Sequence, residues 1–150
     1  MTAYVLDTNV VSAFAPGRVG KPAPDAAVSA WVRRNEDDLF LSAITPLEIE
    51  AGLLKLGRTA PGDWHTQMSD WFAVLLEQFS DRVLPVDLSV ARTAAAITDR
   101  NAARGLDPGL ADVVIAATAL AHGMTLLTRN LRHFIGSGVS AVDPFERLPR

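Results

Sequence analysis

Short apolar segments rich in Val, Leu and Ile alternate along this chain with longer stretches of helical periodicity, and that alternation limits the fold more than any other feature. It builds a parallel sheet whose successive strands are joined by crossover helices. The spacing predicts strands at Ala3–Leu6, Leu39–Ser42, Val83–Val86, Thr125–Thr128 and Val139–Val142. Helices are expected at Ala26–Asn35, Pro46–Leu56, Asp63–Phe79, Ser89–Arg104 and Pro108–Ala121. The Gly- and Pro-rich stretch Pro16–Pro24 reads as a surface loop, since too little chain precedes it for a domain linker. At 150 residues, 49% of them hydrophobic, the chain has the size and apolar content of one domain spanning 1–150 with a full core.

The absence of cysteine excludes disulfides, thiolate zinc sites, iron–sulfur ligation and a cysteine nucleophile. No basic n-region opens the chain and Asp7 interrupts its first apolar run, so a signal peptide is not expected. The most apolar stretch, Val113–Ala121, is far short of the ~20 residues that a membrane span needs. A cytoplasmic protein without a membrane partner is the expectation. A net charge of −3 argues against a protein that coats nucleic acid. A groove needs only a few phosphate contacts, however, and Arg33 with Arg34, Arg100 with Arg104, and Arg129 with Arg132 and His133 are candidate basic patches. A solvated helix face is the simpler account of any single pair.

Chemistry is signalled by acids. The segment Tyr4-Val5-Leu6 runs directly into Asp7, and in open α/β sheets ligands bind outside the carboxyl ends of the strands. Asp7 also fits as the N-cap of a helix starting near Val10. Thr45-Pro46-Leu47-Glu48 has the form of a capping box with proline in the first turn, which accounts for Glu48 structurally. Glu50 is its rival, because the helical projection of Leu47–Gly57 places one acid on each flank of two apolar stripes. Asp107-Pro108 repeats the cap-plus-proline pattern, and Asp87 is expected to cap the helix that follows Val83–Val86.

Asp112 is harder to explain structurally. Its helix is otherwise almost wholly apolar, and no basic residue of that helix lies one turn away. A carboxylate so placed must be paired, metal-bound or at a cleft edge, because burying it alone is costly. His122, at the far end of the same helix, reads as a capping or surface histidine. If Asp7, Glu48 and Asp112 converge to about 5 Å, each pair repels by roughly 3 kcal/mol at an effective dielectric near 20. A divalent cation removes that penalty, and an all-oxygen donor set suits Mg²⁺ or Mn²⁺. Such an ion also lets an acidic pocket accept a phosphodiester. Asn130, just past the fourth strand, is placed to orient water or substrate, and also fits a turn leading into Leu131–Phe134.

Four blocks, Val5-Leu6-Asp7-Thr8-Asn9, Ile44-Thr45-Pro46-Leu47-Glu48-Ile49, Leu110-Ala111-Asp112-Val113-Val114-Ile115-Ala116-Ala117-Thr118-Ala119 and Leu126-Leu127-Thr128-Arg129-Asn130-Leu131-Arg132-His133-Phe134, resemble in order and spacing the PIN-domain ribonucleases of the VapC toxin type, in their FitB-like branch. The resemblance extends to Val142-Asp143-Pro144-Phe145. It implies a three-layer α/β/α sandwich around a parallel, about five-stranded sheet. It also implies Mg²⁺-dependent cleavage of RNA and a homodimer restrained by a cognate antitoxin, which would carry the complex to operator DNA. By position, Asp7, Glu48 and Asp112 become the metal-centred acids, which selects Glu48 over Glu50. Many members carry a fourth acid where this chain has Asn130, a departure that favours one ion over two. Apolar helices near Trp64, Trp71 and Phe72 offer a groove for the antitoxin, although ordinary core accounts for such residues too. Two other readings stand beside this one. A haloacid-dehalogenase-like phosphatase would use Asp7 as nucleophile but needs an acid where Asn9 stands, and a silent interaction module on the same fold would not need the three acids.

Overall fold

The computed structural model describes residues 2–17 and 23–150. Part of the loop expected at Pro16–Pro24 therefore lies outside the described residues. Five strands, β1 (Tyr4–Leu6), β2 (Leu39–Ser42), β3 (Val83–Leu84), β4 (Thr125–Leu127) and β5 (Ala141–Val142), form one sheet in the order β3-β2-β1-β4-β5. Every pairing is parallel, with Tyr4 opposite Leu39 on one side and Thr125 on the other. The strands fall where alternation places them, but only β2 has its full expected length: β1 and β4 are one residue shorter, β3 and β5 two. Pro85, which has no N–H to give a ladder, follows the last paired residue of β3.

Among the described residues six α-helices cover the sheet: α1 (Thr8–Ala13), α2 (Ala26–Arg34), α3 (Ile44–Thr59), α4 (Asp63–Gln78), α5 (Leu88–Ala103) and α6 (Leu110–Ala121). Side chains alternate across a strand, so Tyr4 and Leu6 enter one core while Val5 enters the other. Trp31, Ile49, Leu53, Phe72 and Phe79 fill the first with large side chains from α2 to α4 and the residue after α4, and Tyr4 meets Trp31 edge-on at 5.3 Å. The second is built on α5 and α6, where Ala94, Ala116, Ala117 and Ala119 leave little bulk between helix and sheet. The result is the three-layer sandwich that the resemblance implied. No helix among the described residues is long and apolar enough to cross a membrane.

Two helix starts differ from the sequence reading. Helix α3 begins at Ile44 with Ala43 in the capping position, so Thr45 is already inside the helix and does not cap it. Its side chain is fully buried and turned inward instead. The reason is the short passage from β2 into α3, where the Ser42 hydroxyl lies 3.4 Å from the Ile44 N–H it can accept from. Helix α6 begins at Leu110 after Gly109, whose φ of +94° favours glycine. Asp107 accepts from the Gly109 N–H at 3.3 Å, closing a turn ahead of the helix rather than capping it. Asp87 does cap α5, accepting from the Val90 N–H at 3.0 Å.

The chain runs outward from β1 to β2 and β3, then returns to β4 and β5 on the other side, so the strand order reverses between β1 and β4. Crevices at such reversals, outside the carboxyl ends of the strands, are where open α/β sheets take ligands. Asp7 and Thr128 leave the sheet side by side at that point, with the Asp7 N–H bonded to the Leu127 carbonyl at 2.8 Å.

Candidate active site

Asp7 stands in the N-cap position of α1, and its backbone carbonyl accepts from Val10 and Val11, yet its carboxylate makes no capping bond. The helix start therefore accounts for this acid only in part. Its side chain is directed to the crevice, where the Thr128 hydroxyl donates to Oδ2 at 2.7 Å. Asp7 is only 4% exposed. Burial pushes its carboxyl above the ordinary value, the Thr128 hydrogen bond offsets part of that rise, and the charge of Asp112 adds to it. The backbone N–H groups of Thr8 and Asn9 give smaller relief.

Asp112 is the third residue of α6, in the first turn where a carboxylate meets the positive end of the helix dipole. It is paired after all, by His133 from a 3-10 turn at Leu131–Phe134, with Nδ1 2.7 Å from Oδ2. The basic partner missing from its own helix comes from a segment 21 positions later.

Glu48 is held by the residue that follows Asp7. The Thr8 hydroxyl donates to Glu48 Oε1 at 2.7 Å and lies 3.0 Å from the Thr45 hydroxyl. With its own proton committed to the carboxylate, Thr8 accepts from Thr45. The capping-box account of Glu48 is thus replaced by a chain from Thr45 through Thr8 to Glu48. Glu50 is exposed, whereas Glu48 is half-buried.

Asn130 is exposed and does not use its side chain to cap the 3-10 turn. Its N–H donates to the Thr128 hydroxyl at 3.0 Å, which links it to Asp7 through one intervening side chain. Asn9 accepts from the Arg129 N–H at 3.2 Å, and the Arg129 guanidinium lies 4.9 Å from the centre of the Phe145 ring. Among the other basic candidates, Arg100 donates to the Ser137 carbonyl, while Arg33 and Arg34 close the last turn of α2.

The crevice therefore joins Asp7 and Asp112 closely enough for their charges to repel, with Glu48 tied to the residue next to Asp7. Among the described residues, no group of three or more His, Cys, Asp or Glu side chains is placed to hold a metal ion as it stands. A buried carboxylate that feels the charge of a second one nevertheless offers, with it, a hard oxygen donor set. Mg²⁺ is commonly held by one or two carboxylates with waters completing its shell.

The PIN domain family matches residues 4–135, most of the chain and all of this site. The chain is a PIN-domain protein. It is 36% identical over 144 residues to the VapC ribonuclease Y4jK of Sinorhizobium fredii, an alignment covering 95% of this chain and 97% of that one. Toxin FitB of Neisseria gonorrhoeae is 34% identical over 143 residues, covering 94% and 97%. The solved structure of FitAB bound to an IR36 DNA fragment superposes with a TM-score of 0.80 at 34% identity, covering 95% of each chain. The chain thus belongs with the VapC and FitB members of the PIN-domain family.

Thr8, Thr128 and His133 are the residues that the sequence reading did not assign to the site. Two of them had a signal in principle. Thr8 directly follows Asp7, and pairing of β1 with β4 places Thr128 beside Asp7 once the register Leu6 to Leu127 is known. His133 had none, because nothing in local periodicity ties it to Asp112.

Proposed function

We propose that this PIN-domain protein is a divalent-metal-dependent endoribonuclease and the toxin of a toxin–antitoxin pair. The observation that carries the reading is the meeting of Asp7 and Asp112 at the sheet's reversal point, in a chain 36% identical to a VapC ribonuclease. Asp7, Glu48 and Asp112 are the residues that hold the ion, Mg²⁺ with Mn²⁺ as substitute. When bound, the ion supplies Lewis acidity toward water and positive charge against the phosphodiester. Thr128 fixes the direction of the Asp7 carboxylate, Thr8 fixes that of Glu48, and Asn130 orients water or substrate through an uncharged amide. The phosphatase alternative draws no support from Asn9, whose side-chain oxygen is engaged by the Arg129 N–H at the place where that chemistry needs a second acid.

The cognate antitoxin is the expected partner, in a homodimeric toxin brought to operator DNA by that antitoxin. Its seat on this chain is the face around Trp71. That side chain lines both a cavity of ≈ 440 Å³, with Leu6, Val11, Phe14 and Phe79, and a smaller groove whose other residues include Thr8 and Glu48. A segment filling both would reach Glu48, where an arginine makes charge-assisted hydrogen bonds to a carboxylate. Phe72 does not belong to that seat, since it is buried in the core.

The test is incubation of the purified chain with RNA, with Mg²⁺ or Mn²⁺ and with a chelator. Cleavage only with the ion is expected. Cleavage that ignores the chelator, or none under any divalent ion, overturns the nuclease reading.

A further inference from the structure

Among the described residues, His133 is an ionisable side chain that reaches the site and that the nuclease reading leaves without work. Of the two ion pairs among the described residues, its pair with Asp112 is the one that crosses between distant segments, since the other joins the neighbours Asp81 and Arg82. The turn that carries it is anchored. Phe134 is buried in the second core, its carbonyl accepts from the Ser137 hydroxyl at 2.6 Å, and the Ser137 carbonyl in turn accepts from Arg100 at 2.6 Å. The His133 N–H closes the turn onto the Asn130 carbonyl at 3.0 Å. The backbone under the imidazole is thereby fixed although the ring itself is half exposed.

Asp112 sits where a carboxylate has another resort. The first-turn N–H groups of α6 lack intrahelical partners, and a short acidic side chain at this position can fold back onto them. Oδ2 is instead drawn across to His133. A separation of 2.7 Å between a carboxylate oxygen and a ring nitrogen requires a proton between them, and against an ionised carboxylate that proton is on Nδ1. One oxygen of Asp112 is then committed to the imidazole and the carboxylate plane is set, leaving Oδ1 for a ligand.

We infer that His133 is a positioning residue for the metal centre, holding Asp112 in the orientation that receives the divalent ion. The inference rests on the reading of Asp7, Glu48 and Asp112 as the ion's holders. Ligating carboxylates are themselves hydrogen-bonded, and loss of such an outer partner typically costs roughly 10–100-fold in metal affinity. His133 does this through Nδ1 alone. An asparagine at the same place offers an amide N–H near the Nδ1 position, so it supplies the donor without the ring.

The experiment is calorimetric titration of the full chain with MnCl₂, in the wild type and in His133→Ala, His133→Phe and His133→Asn, with circular dichroism confirming that each is folded. His133→Phe keeps the bulk of the ring without the donor and serves if His133→Ala does not fold. The donor-free variants are expected to bind Mn²⁺ roughly 10–100-fold more weakly. His133→Asn is expected to recover most of that loss. Donor-free variants that bind Mn²⁺ like the wild type overturn the inference and leave the metal site standing. Equal weakening in His133→Asn also overturns it, since the Nδ1 hydrogen bond is then not what matters. A wild type that binds no Mn²⁺ removes the metal reading itself, and the positioning role with it.

Discussion

Asp7 and Asp112 are the same residue type meeting at one crevice, yet the protein holds them by opposite means. Asp7 is fixed by the sheet: it continues β1, its N–H pairs with β4, and its carboxylate is buried against a neutral hydroxyl from Thr128. Asp112 is fixed by the imidazole of His133, brought in from a distant turn, and remains part exposed at the start of a helix. A neutral donor orients a carboxylate without discharging it. Asp7 therefore sits in a place that disfavours its charge, and Asp112 adds to that cost. The difference teaches that the crevice is arranged at a cost in stability that a cation would relieve.

The largest expected effect breaks the pair at its helical end. Asp112→Asn should lower metal-dependent RNA cleavage by roughly a hundredfold or more, because several kcal/mol of charge stabilisation rests on the ion and about 1.4 kcal/mol is tenfold in rate. A gel assay with Mg²⁺ checks this, and full activity in the variant would show that Asp112 is not part of the centre. Asn130→Ala should lower turnover by roughly tenfold, at the low end of what one orienting group contributes, and should leave Mn²⁺ affinity unchanged. Loss of ion binding in that variant would move Asn130 from orienting to ligating.

The smallest effect concerns stability and separates the two aspartates. Because burial, more than Asp112, raises the folded-state pKa of Asp7, its contribution to stability is complete below the ordinary value of 3.8 and is lost as pH rises through the raised one. Ionised Asp7 therefore burdens the metal-free fold at neutral pH. Asp7→Asn retains an oxygen for Thr128 and should raise the melting temperature by a few degrees at pH 7, where about 1 kcal/mol is worth roughly 2–4 °C. The gain should vanish below pH 3.8. Asp112→Asn, which disturbs a contact with His133, should bring no comparable gain. Equal melting curves for wild type and Asp7→Asn across this range would remove the claim that the crevice is strained.

How far the sequence could be read depended on whether a residue's role was local. Alternation of apolar runs placed the strands and the parallel sheet, because burial on both faces writes itself into consecutive Val, Leu and Ile. Asp112 was conspicuous as a charge in an apolar helix. Helix starts were misread where tertiary structure took over the capping side chain: Thr45 looks like a cap, but it is buried and donates to Thr8. The choice between Glu48 and Glu50 was beyond periodicity, because it depends on the distant Thr8. The pairing of His133 with Asp112 was invisible for the same reason, although the residue itself stood out in a candidate basic patch.

The central claim is that Asp7, Glu48 and Asp112 together hold one divalent ion, and calorimetric titration with Mn²⁺ tests it most directly. The account expects one site per chain in the wild type, and binding weakened in each of Asp7→Asn, Glu48→Gln and Asp112→Asn. Unchanged binding in both Asp7→Asn and Asp112→Asn would place the ion elsewhere and contradict it.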